Sequence, residues 1–124
     1  MKIKTFEAAC AAKQFDPAKI LPDVSAYPAD HGKALTAAAK LFIVVDALNE
    51  GWKPDWNNDD EYKWWNWFDM EKSDDNPSGF RFSFAAYFYS NSGVGSRLCF
   101  KSRQLAEWAA EHFIELYKDF FILN

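Results

Sequence analysis

Oxygen-bearing side chains alternate at Asp55, Asn57, Asp59 and Glu61, the spacing with which a calcium-binding loop presents its first ligands. The pattern then breaks. Asp60 stands where the sharp turn needs glycine, and Asn66 stands where a bidentate glutamate should close the coordination sphere, so a solvated acidic loop is the better reading. His31 and His112 are the only histidines, and neither has a second ligand at helical spacing to start a zinc site. Cys99 would act as a nucleophile only with a histidine brought beside it; in its apolar setting it reads as a buried structural thiol, as does Cys10. Asn91 to Ser96, NSGVGS, lacks the lysine of a phosphate loop and the strand-to-helix setting that makes backbone amides converge, and it reads as a hairpin turn or bulge. Asp69 and Glu71 are near enough for acid and base work, but neighbouring acids on a strand edge are usually solvated. No metal, cofactor or catalytic residue is expected, and an enzyme with an unrecognised site is the third of three functional readings.

The elements that position these residues follow from caps and periodicity. Thr5 caps a short helix from Phe6 to about Gln14, and Asp16-Pro17 restarts the chain as a second short helix or turn ending near Leu21-Pro22. After a loop from Asp23 to Tyr27, Pro28 or Asp30 opens the longest helix, which runs to about Asn49. Leu35, Ala38, Phe42, Val45 and Asn49 trace one face of it, and Leu41, Ile43, Val44 and Leu48 fall off that face, so it is expected to be the central helix, buried on more than one side. Gly51 and Pro54 stop it. Three strands are expected, at about Tyr62 to Glu71, Phe80 to Ser90 and Gly95 to Lys101, joined by turns over Ser73 to Gly79 and Asn91-Ser92-Gly93. Ser102 caps a last helix to about Phe121. The expected layout is a single α+β domain spanning 1–124: N-terminal helices, a long central helix, a three-stranded antiparallel meander and a C-terminal helix.

With 124 residues, the chain is long enough to bury a core, and an aromatic fraction of 19% supplies it with large rings, so stability requires neither disulfide nor metal. Two distant cysteines do not make a secreted disulfide framework, and the start MKIKTFEAAC has no continuous apolar run, so a cytoplasmic location without membrane insertion is expected. A net charge of -4 argues against coating duplex DNA, which needs a broad basic footprint, though it leaves room for a local basic patch.

Side chains alternate across a strand, which sorts the expected meander into two faces. Phe80, Phe82, Phe84, Ala86 and Phe88 fall on one face with Trp64, Phe68, Met70, Leu98 and Phe100, and should meet the helices. The other face carries Trp65, Trp67, Arg81, Ser83, Tyr87, Tyr89, Arg97, Cys99 and Lys101. Of these, Trp65, Trp67, Arg81, Tyr87, Tyr89, Arg97 and Lys101 are the candidate binding residues, because flat rings among cations suit an interface with a protein partner or a homo-oligomer. The same mixture grips single-stranded nucleic acid, which is the alternative. A third possibility is purely structural: the N-terminal helices could cover this face and leave its cations at the rim.

The segments LFIVVDALNEGWKPDWNN, VGSRLCFKS and ELYKDFF resemble a group of short proteins of gut Bacteroides-type bacteria and of their phages and mobile elements. The likeness spans most of the chain. It carries over no activity, cofactor or functional residue and implies only a bacterial or phage setting.

Overall fold

In the computed structural model, residues 3–92 and 96–123 are described. Thr5 accepts a hydrogen bond from the Ala8 amide and starts α1, Phe6–Lys13, which ends where Gln14 turns left-handed at φ 62°. Phe6, Ala9 and Cys10 form its buried face. At Asp16 the side chain takes the Ala18 amide, and the carbonyl takes those of Lys19 and Ile20. This segment makes turns and not a second helix, because its backbone donors are met locally before any helix can propagate.

Helix α2, Ala29–Leu48, buries Ala37, Ala38, Leu41, Val44, Val45 and Leu48, whereas Leu35 and Phe42 are exposed. The buried stripe is therefore centred on Leu41 and Val44 and not on the row through Phe42. Glu50 at φ 52° and Gly51 at φ 80° end it, two left-handed residues in succession of which only the glycine is free of strain.

The fold is α+β, but the expected layout is corrected. Among the described residues the sheet has two strands and not three: β1, Lys63–Asp69, pairs antiparallel with β2, Arg81–Phe88. Ser96–Leu98 is a 3₁₀ turn, and Phe100 alone bridges to Trp64. The expected third strand began at Gly95 and the second turn included Gly93, both outside the described residues. The cause of the shortened strand lies at the end of α2. The buried Asn49 carboxamide donates to the Cys99 carbonyl at 2.9 Å and accepts the Lys101 amide at 3.1 Å, so that a side chain stands where a further strand would continue the ladder.

The long helix is not the layer on which the sheet lies. It packs chiefly on α1 and on α4, Ile114–Phe121, while α3, Arg103–His112, lies against both strands. The single C-terminal helix is also divided, into α3, Arg103–His112, and α4, Ile114–Phe121, because Phe113 leaves helical geometry at φ -125° and ψ 23°. Ser102 caps α3 by accepting the Leu105 amide. The break lets α4 turn toward α2 and places Tyr117 and Phe121 against Phe68 of β1. The Trp108 indole donates to the Ile3 carbonyl at 2.7 Å and ties the first described residue to α3. No described helix is long and apolar enough to cross a membrane.

Candidate functional site: two aromatic faces of a short ribbon

Residues directly opposite in an antiparallel pair share a face. Trp64 lies opposite Tyr87, Asn66 opposite Ala85 and Phe68 opposite Phe82. This is the inner face: Asn66 donates to the Ala106 carbonyl of α3, and Phe68 stacks on Phe80 at 4.8 Å. Lys63 opposite Phe88, Trp65 opposite Ala86 and Trp67 opposite Phe84 make the outer face.

The register shifts between Trp67 and Phe68, where Phe84 and Phe82 are successive partners and Ser83 has none. One extra residue exchanges the faces of everything beyond it. Phe80 and Phe82 thus point inward as expected, while Phe84 and Phe88 point outward with the tryptophans. Trp67 stacks on Phe84 at 6.3 Å, and Trp65 meets Phe88 edge-on at 5.8 Å.

The seven candidate residues are consequently divided. Trp65 and Trp67 share the outer face, but Trp65 is buried and Trp67 is 51% exposed. Arg81 lies at the far end of β2 and is committed to structure: its Nε and Nη2 donate to Asp69 Oδ2 at 3.1 and 3.0 Å, and Nη1 donates to the Asp75 carbonyl. The Glu71 amide, and after it Arg81, hold the Asp69 carboxyl below its ordinary value. Tyr87 is on the inner side, and Tyr89 lies just past the strand. Arg97 is on the 3₁₀ turn, lining a separate groove with Phe42, Trp52 and Trp56. Lys101 lines a groove with Tyr62, Trp64, Tyr87 and Arg103.

That groove contains residues not expected from sequence. Tyr62 stacks on Tyr87 at 4.3 Å, Trp64 meets Tyr87 edge-on, and the Arg103 guanidinium lies 4.8 Å from the Trp64 ring centre. Hydrogen bonding with Tyr87 and then Tyr62 pushes the Tyr89 phenol up to about 12. The Tyr62-x-Trp64 alternation at the start of β1 was the available signal for this cluster. Nothing comparable in the sequence marked the bulge that sent Phe84 outward.

The acidic loop holds a cation, but the cation is Lys63. Its side chain is fully buried, and its ammonium donates to the Asn58 carbonyl at 3.0 Å, lies 3.6 Å from Glu61 Oε1 and faces the Trp56 ring at 5.2 Å. Asp55 and Asn58 meanwhile accept the amides of Asn57 and Asp60, and Glu61 accepts that of Asp55. Of the four side chains that suggested calcium, Asp55 and Glu61 are thus spent on the loop itself and on an ammonium. No group of three or more potential metal ligands occurs among the described residues.

Burial pushes the Cys99 thiol up to about 11, and burial also raises Cys10. The charged groups acting on Cys99 are Lys63 and Glu61, while His112 lies against the Trp108 ring at 4.0 Å. A thiol raised by folding contributes stability that is complete below its unfolded value near pH 9 and is lost as the pH climbs toward 11. Both cysteines should therefore react with an aromatic disulfide reagent at pH 8 no faster than the chain unfolds, and rapid labelling of folded protein would refute the assignment.

The chain matches no protein-family profile, no curated protein and no solved structure. The functional reading rests on the geometry of the two faces.

Proposed function

We propose that this protein is a non-enzymatic binding module that engages another protein through the outer face of its ribbon. One observation carries the reading: Trp67, Phe84 and Phe88 lie together on that face and are 51, 54 and 39% exposed. Grouped exposed rings mark association surfaces, and Trp is prominent among interface hot spots. Of the cations expected among them, Arg97 and Lys101 lie elsewhere and Arg81 is tied to Asp69, which favours an apolar protein surface over a polyanion.

If Trp67 is a contact residue and not core, replacing it by Ala lowers stability by about 1 to 2 kcal/mol, the loss of one ring pair and half a ring's burial. A core ring would cost about 3 to 5 kcal/mol. Urea denaturation separates the two. A photo-crosslinking phenylalanine analogue at position 84 of the full chain, expressed in cells, should form an adduct with one defined protein species. The same analogue at exposed Lys19 should not. The absence of an adduct at 84 removes the reading.

A second reading, single-stranded nucleic acid, is favoured by the groove in which Lys101 and Arg103 lie beside Tyr62, Trp64 and Tyr87. Its rings are largely engaged with one another and with Arg103, which places it second. Salt-sensitive binding of a fluorescent oligonucleotide with tryptophan quenching is the expected sign, and no binding at low salt eliminates it.

A further inference from the structure

We infer that the partner of this ribbon is a second copy of this chain, joined along the open edge beside the outer face by antiparallel pairing of β2 with β2 about a two-fold axis at Ala86; the inference rests on the outer-face reading above. Among the described residues β2 pairs only with β1, and no backbone hydrogen bond reaches its other edge. An eight-residue strand with an open edge is a template for another strand. Proteins that avoid this place lysine, proline or an inward charge on the edge. The stretch Phe82–Phe88, FSFAAYF, has none of these, and the one charge in β2, Arg81, is neutralised within the chain by Asp69. The bulge at Ser83 protects one end only, leaving Phe84 to Phe88 in regular pairing.

The register follows from the faces. Pairing Ala86 with itself puts Phe84 opposite Phe88 of the partner subunit, and it uses only the regular segment. Pairing Ala85 with itself would set Phe88, which points outward, opposite Phe82, which points inward, and is excluded by the bulge. Small side chains at Ala85 and Ala86 let the strands approach at the axis. The product is a four-stranded sheet of order β1-β2-β2-β1 with the rings of both copies in one row, which also removes the marginal stability of a lone two-stranded ribbon.

The area sets the strength. Half-exposed aromatic rings still have roughly 75 to 125 Å² each to bury, so Phe84 and Phe88, the two on the pairing strand, supply about 200 Å² per copy before the strand edge is added. Stable complexes bury about 800 Å² per partner. The dimer should therefore be reversible, dissociating in the micromolar range, and because each copy has a net charge of -4, added salt should tighten it.

Sedimentation equilibrium of the full chain over about 1 to 500 µM should show monomer and dimer exchanging within that range. Phe84→Lys should weaken association at least tenfold while circular dichroism shows the fold retained. Ala86→Cys should form a disulfide-linked dimer on mild oxidation, since self-paired positions lie about 4.5 to 5.5 Å apart, within disulfide reach. Ala85→Cys should not. A monomer at every concentration overturns the inference, and so does a dimer that is indifferent to Phe84→Lys and uncrosslinked through Ala86→Cys. A monomer whose position-84 crosslinker captures a different protein removes the second copy but leaves the outer-face reading standing. A monomer with no adduct removes both.

Discussion

Replacing Lys63 by alanine should lower the unfolding free energy by about 3 to 5 kcal/mol, the combined cost of a cavity where a fully buried side chain stood and of a buried charge interaction broken from one side. The ammonium is the centre about which residues 55–61 are arranged. Without it the Asn58 carbonyl and the Trp56 ring lose their partner, and Glu61 keeps a carboxylate that is 26% exposed and no longer compensated. Lys63→Met separates charge from volume. It fills the same space, so its cost should be smaller, about 1 to 3 kcal/mol, the lost charge interaction and hydrogen bond without the cavity. Urea denaturation of both variants checks the order. Equal, small losses would show that the ammonium is solvated and the loop is organised without it.

Asn49→Ala should cost about 2 to 4 kcal/mol, because it strands two backbone groups at once, the Cys99 carbonyl and the Lys101 amide. Asn49→Asp sharpens the test. A carboxylate can still accept from Lys101 but can only repel the Cys99 carbonyl, so this near-isosteric change should be destabilising as well. If either variant unfolds with the wild type, the segment is held by Phe100 and its bridge to Trp64 alone.

These residues show where sequence reasoning succeeds and where it stops. The caps at Thr5 and Ser102 and the left-handed Gly51 were legible because each acts on neighbours within a few residues. The third strand failed because its outcome is decided by Asn49, about 50 positions away, whose side chain competes for the same backbone groups. The face assignment failed at one point, Ser83, since a bulge depends on the partner strand and leaves no reliable mark on its own residue. Trp65 and Trp67 did fall on the outer face, yet the phenylalanines that join them lie past the inversion. Tyr87 was assigned the wrong face for the same reason, whereas Lys101 was misplaced because Asn49 takes its amide and no third strand forms there. The cation of the acidic loop comes from a strand that periodicity gives no reason to connect with it.

The tie between Trp108 and the Ile3 carbonyl spans 105 positions, and the Asn49 clasp spans 50 and 52. Such closures make assembly slow and late, since distant pieces of chain must meet before their contacts repay the lost freedom. On the ribosome, α1 and α2 therefore emerge as an unfinished pair with Leu41, Val44 and Leu48 uncovered until Phe100, Leu105, Phe113 and Tyr117 follow. Synthesis halted before residue 100 should leave a nascent chain that depends on chaperones, whereas one extended past α4 and clear of the ribosome can collapse to the folded body.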